Sequence, residues 1–194
     1  MVFELTSMIV AAGYVGLFSV IFAESGLFFG FFLPGDSLLF TAGFLASQGV
    51  FDIRVLVIGF FIAAVLGDNV GYWFGNKYGK RLFERNGRLF HKHRLVEAHE
   101  FFERHGNKAI VLARFVPAVR TFTPIAAGVG DMNYKRFVTY NVVGGLLWGV
   151  GMTTAGYFLG RSVPNADAYI LPIVAVIIVV SLIPAVREYM RHRK

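Results

Sequence analysis

Prolines, rather than charges, cut the longest apolar runs of this chain. Residues 5–51 carry only Glu24 and Asp36 as charges, and Pro34-Gly35 divides them into apolar pieces at 17–33 and 38–47. Residues 109–130 are apolar apart from Arg114 and Arg120, and Pro117 and Pro124 divide them again. A helix needs roughly 20 residues to cross a hydrocarbon core about 30 Å thick, and none of these pieces reaches that length. Residues 8–33 taken as one run could cross instead, which leaves the place of 1–16 open. Proline removes a backbone donor and disfavours helix at the residue before it. Short apolar pieces with such breaks read as re-entrant hairpins, in which broken backbone is buried in protein or lines a cavity. Three other runs are long enough to cross: 53–75, 137–160 and 168–186.

An ordinary soluble domain carries about 25% charged residues; this chain carries 16%, against 56% hydrophobic residues. The surplus apolar side chains must face something other than water, which excludes a soluble globule and a disordered chain. With no cysteine in 194 residues, disulfides, zinc thiolates and thiol catalysis are excluded as well. The first Lys or Arg is Arg54, so no basic n-region precedes the first apolar run, which is expected to stay in the mature protein.

Charge then sets orientation. Nine Lys and Arg fall in the polar block 77–108, and Arg187, Arg191, Arg193 and Lys194 close the chain. Cytoplasmic segments collect such residues, so both the block and the C-terminus are expected on the cytoplasmic side. The crossings 137–160 and 168–186 return the chain to that side, with 109–130 entering and leaving on it. The block suits topology and anionic lipid better than nucleic acid. Its histidines (His91, His93, His99, His105) show no ligand spacing beyond His99 and Glu103, and no metal or cofactor is expected.

An internal repeat supports the same architecture. Gly71-Tyr72-Trp73-Phe74-Gly75 lies 37 residues after Pro34, and Gly156-Tyr157-Phe158-Leu159-Gly160 lies 39 residues after Pro117. The expected fold is therefore an all-α integral membrane protein. It forms a single domain over 1–194: hairpin 1 at about 17–47, a crossing at 53–75, the basic segment 77–108, hairpin 2 at about 109–130, and crossings at 137–160 and 168–186. The two halves form an inverted repeat, a transporter architecture whose site lies where the helix breaks meet.

Ionisable residues inside apolar runs cost roughly 2.5–3.5 kcal/mol each on insertion scales, so they should pair, face water or serve a ligand. Arg114 and Arg120 flank the break at Pro117, which lets both guanidiniums converge, and two such forks suit the oxygens of a phosphate. Glu24 and Asp36 are placed to neutralise the arginines or to carry protons. Asp68, in the last third of its helix, is read as capping or pairing locally. Trp73, Tyr72, Tyr157 and Trp148 are read as interface anchors or packing. Every histidine lies in the basic block or the tail, so no nucleophile has a partnered base in the core, and an enzyme is not expected.

These motifs resemble the DedA family of membrane proteins, which share the SNARE-associated or VTT domain. The resemblance runs over about residues 10–162, through Glu24 with Pro34-Gly35-Asp36, Gly67-Asp68, the two glycine-tyrosine motifs, Arg114 to Arg120, Thr123 to Gly128, and Asn141 to Trp148. It implies opposed re-entrant hairpins and a role in moving lipids between leaflets of the inner membrane. In bacterial relatives that role is the recycling of undecaprenyl phosphate, linked to the proton gradient. It assigns substrate binding to Arg114 and Arg120 and proton coupling to Glu24 and Asp36, with Asp68 and Asn141 as further candidates. The implied partners are an anionic lipid phosphate and protons. The sequence leaves open a phosphatidylethanolamine flippase or scramblase, a proton-coupled exporter of small cations or drugs, and assembly as a homo-oligomer.

Overall fold

The structure is a computed structural model and describes residues 2–27, 34–79 and 108–162. The expected crossing at 168–186, most of the basic segment and its histidines, and the tip of hairpin 1 lie outside those residues. The elements among the described residues are all helices, with no strand. We number the helices α1 (Val2–Gly26), α2 (Gly35–Ser47), α3 (Ile53–Phe74, continued by a π-helical turn at Gly75–Gly79), α4 (Ala109–Ala113), α5 (Pro117–Arg120), α6 (Thr123–Val129), α7 (Tyr134–Gly145, continued by a π-helical turn at Leu146–Val150) and α8 (Gly151–Ser162).

The longest continuous helical stretches are Ile53–Gly79, of 27 residues, and Tyr134–Ser162, of 29, both apolar enough to cross a membrane. The second starts at Tyr134 rather than near 137 because the Asn133 side chain caps it, accepting from the backbone N–H of Lys135 at 3.0 Å and of Arg136 at 3.4 Å. Along α3, Val55, Ile58, Ile62, Leu66, Val70 and Trp73 are all exposed. They recur every three or four residues and form one apolar stripe. At about 1.5 Å per residue the stripe is about 27 Å long, close to the thickness of a bilayer's hydrocarbon core. The first limb expected from about residue 17 belongs to a longer helix. α1 runs unbroken from Val2 to Gly26 over 25 residues, because no proline interrupts it.

By contact the described residues fall into two compact units, one from 2–20, 34–60 and 149–162, the other from 21–27, 61–79 and 108–148. In the first unit α8 packs on α2 through glycine. A Cβ at Gly43 would lie 2.0 Å from the Thr153 carbonyl oxygen, and one at Gly156 would lie 2.1 Å from that of Phe40. Only residues without side chains let two helix backbones approach so closely. The Gln48 amide donates to the Gly160 carbonyl at 3.2 Å, and the start of α3 is tied to α1 where the Asp52 N–H donates to Tyr14 Oη at 2.6 Å.

The second unit uses the same device. Gly26 of α1 meets Gly67 of α3, where a Cβ on Gly26 would stand 2.7 Å from the Gly67 carbonyl oxygen. Gly75 packs on the carbonyl of Ile125, and Gly128 on that of Tyr72, a Cβ on either standing 2.1 Å from the oxygen. Tyr72, Ile110, Ala127 and Phe137 form a buried cluster, with the Tyr72 and Phe137 rings stacked at 4.5 Å. The two glycine-tyrosine motifs thus have matching jobs. The first packs against α6, which follows Pro117, and the second against α2, which follows Pro34.

Candidate functional site

The second unit contains most of the charge buried in the described residues, and a proline break positions it. Val116 is extended (φ −118°, ψ 100°), as a residue before proline prefers, and Pro117 opens α5 at its first turn. Helix therefore stops at Ala113, resumes at Pro117 and stops again at Arg120. Arg114 lies at the C-terminal end of α4 and Arg120 at that of α5, positions favourable to cations.

Arg114 is held from three sides. Its Nη2 donates to the Asp68 carboxylate on α3 and to Asn141 Oδ1 on α7, the latter at 2.5 Å. Asn141 Nδ2 in turn donates to the Val65 carbonyl at 3.1 Å, which fixes the amide and ties α7 to α3. Gly144, one turn further along α7, leaves room for the arginine stem: a Cβ there would lie 2.8 Å from Arg114 Cδ and 2.9 Å from Nε. Arg114, Asp68 and Asn141 are at most 5% exposed.

Arg120 is held differently. Its Nη2 donates to Glu24 Oε1 on α1, 96 residues away. The Arg120 side chain is 9% exposed and that of Glu24 only 1%. The second oxygen of Glu24, Oε2, is buried and has no hydrogen-bond partner among the described residues. Trp148, in the π-helical turn after α7, lies against both guanidiniums. Its ring centroid is 5.8 Å from Arg114 Cζ and 5.0 Å from Arg120 Cζ, and the residue is 2% exposed. The two arginines and two carboxylates sum to zero charge. Burial of such groups is costly unless each is paired, and here two ion pairs do the pairing.

The site joins distant stretches of chain, and comparison with known proteins places the chain in a family. The family model of the VTT domain matches residues 33–158. The chain is 47% identical over 184 residues to Protein DedA of Escherichia coli (strain K12), covering 93% of this chain and 84% of that protein. It belongs to the DedA family. This DedA-family chain is also 49% identical over 167 residues to an uncharacterized membrane protein of Mycobacterium leprae (strain TN), covering 86% and 74% of the two chains. To the inner membrane protein YqjA of E. coli (strain K12) it is 38% identical over 151 residues, covering 77% and 68%. No solved structure matches it. The chain is accordingly a helical membrane protein.

Of the residues singled out from the sequence of this DedA-family protein, the structure brings Glu24 to Arg120, and Asp68 and Asn141 to Arg114. Asp36 belongs to the other unit, half-buried in the first turn of α2. One expectation changes: Asp68 does not pair locally, its partner Arg114 being 46 residues away. Trp148 is buried against both guanidiniums, the packing place expected of it, and Trp73 is exposed. Gly144 was read only as part of the stretch from Asn141 to Trp148, with no role of its own. The signal that could have found it is spacing, since Asn141, Gly144 and Trp148 recur at i, i+3 and i+7, one helical face.

Proposed function

We propose that this DedA-family chain is a flippase of the inner membrane that carries a lipid phosphate, undecaprenyl phosphate, from one leaflet to the other and is driven by protons. The observation that carries this reading is the pair of buried arginines at one helix break, each compensated by its own carboxylate. Resting neutrality lets the site lie within the bilayer. An anion entering it must replace a carboxylate, and a proton is what makes a carboxylate give way. Glu24, with one oxygen on Arg120 and the other unpartnered among the described residues, is the group in this reading that takes the proton. Protonated, it no longer balances the Arg120 guanidinium, and the fork turns to phosphate oxygens. Arg114 stays on Asp68 and Asn141 and offers the phosphate its remaining N–H donors. The polyprenyl tail never leaves the hydrocarbon and slides along apolar faces while the headgroup crosses. In the accompanying topology, α3 and α7–α8 cross the membrane, the broken segments are re-entrant, and the C-terminus is cytoplasmic.

The test is transport by purified protein in liposomes. Labelled undecaprenyl phosphate, phosphatidylethanolamine and a neutral polyprenol are supplied in parallel, with and without a proton gradient. The reading expects saturable, gradient-dependent movement of the phosphate alone. Equal movement of all three would instead mark a scramblase.

A second reading rests on the same pairs. Both arginines touch carboxylates, so they also fit a structural role in a proton-coupled exporter whose carboxylates bind small cations or drugs. Competition separates the two: phosphate lipids should inhibit transport in the first case and leave it untouched in the second.

A further inference from the structure

Trp148 makes a contact that the ion pairs alone do not require. Its ring lies 5.8 Å from Arg114 Cζ and 5.0 Å from Arg120 Cζ while being 2% exposed. A guanidinium against an aromatic face is attracted by the ring's quadrupole, and most strongly where water is excluded. One indole therefore holds two cations that would otherwise repel each other.

Both arginines have polar partners besides the indole. Arg114 keeps Asp68, Asn141 at 2.5 Å and the bed left by Gly144, none of which an entering anion needs to displace. Arg120 is bound to Glu24, the carboxylate that must let go in the proposed cycle. When it does, the indole is already in place against the Arg120 guanidinium. We propose that Trp148 is a positioning residue of the anion site. It keeps Arg120 beside Arg114 while Glu24 is released, so that a phosphate headgroup meets two forks rather than one. This rests on the reading that the site takes a lipid phosphate, and it adds how one of its two cations stays aimed.

The chain has two tryptophans, and Trp73 lies on the exposed stripe of α3, so Trp73→Phe leaves Trp148 as the sole indole reporter. The experiment uses this full-length variant in nanodiscs, titrated with a short-chain polyprenyl phosphate and, separately, with inorganic phosphate. Transport is measured in parallel for Trp148→Phe and Trp148→Leu. The expected result is a saturable change in Trp148 emission with the lipid and none with inorganic phosphate at the same concentration. Half-saturation for transport should rise about 30-fold in Trp148→Leu, the equivalent of a desolvated cation–π contact, and less in Trp148→Phe. The maximal rate should stay within about two-fold in Trp148→Phe, because a positioning residue acts on binding. Emission that ignores a lipid the protein transports, or parental half-saturation in both variants, overturns the inference alone. A response to inorganic phosphate equal to that for the lipid overturns the lipid as its source. Failure of the unsubstituted protein to bind or move any phosphate lipid overturns the proposed function, and this inference with it.

Discussion

Asp68 and Arg114 form an ion pair across 46 residues of chain, with both side chains less than a tenth exposed. The pair ties the broken segment to the last third of α3, and Asn141 completes it from α7. A buried pair need not add net stability, but removing one partner leaves an uncompensated charge at a cost of about 3–5 kcal/mol.

Asp68→Ala should therefore lower the melting temperature in detergent sharply and abolish transport. Asp68→Ala with Arg114→Ala should recover much of the melting temperature, since no lone charge remains, while transport stays absent. A double variant as unstable as Asp68→Ala would show that the pair is not what the single substitution breaks.

Gly144 is the bed for Arg114, and an added methyl would stand 2.8 Å from Cδ of a side chain pinned at its far end. Gly144→Ala should cost about 1–3 kcal/mol and reduce transport strongly. Gly151, where an added methyl would meet nothing within 4 Å, is the control. Gly151→Ala should be neutral or should stabilise by about 0.5–1 kcal/mol through helix propensity. Thermal melts of the two variants side by side decide the matter.

The α2–α8 crossing predicts a coupled pair. Gly43→Ala and Gly156→Ala each push a methyl into a backbone carbonyl, at 2.0 Å and 2.1 Å, so each should destabilise by well over 1 kcal/mol. Because both act by parting the same two helices, the double variant should cost clearly less than the sum. Strict additivity would mean that the two glycines do not share one interface.

Asn133 caps the long helix through Lys135 and Arg136. Asn133→Ala should cost about 1 kcal/mol, while Asn133→Ser, which can still accept, should cost little. Equal melting temperatures for the two variants would remove the capping account.

Much of this arrangement was legible in residues read one run at a time. Sparse charges marked the apolar helices, Pro117 marked the break, and the cost of burying Glu24, Arg114 and Arg120 marked them as a site. The partner of Arg114 was not legible, because helical spacing relates residues within about two turns and says nothing of a carboxylate 46 positions away. Trp148 suffered the opposite fate. An apolar aromatic in an apolar run is ordinarily packing, and only the position of two guanidiniums against its ring distinguishes it. Gly144 was hidden for the same reason, since its contribution is the space it leaves for another residue's stem.

The central claim is that Arg120 exchanges Glu24 for a lipid phosphate when Glu24 takes a proton. The most direct measurement is the flux of labelled undecaprenyl phosphate in proteoliposomes, with and without an imposed proton gradient, for the unsubstituted protein, Glu24→Gln and Arg120→Lys. The account predicts gradient-accelerated flux in the unsubstituted protein and loss of that acceleration in Glu24→Gln. Arg120→Lys, which keeps the charge but not the fork, should show at least a ten-fold weaker half-saturation. Parental flux and parental gradient dependence in both variants would contradict it.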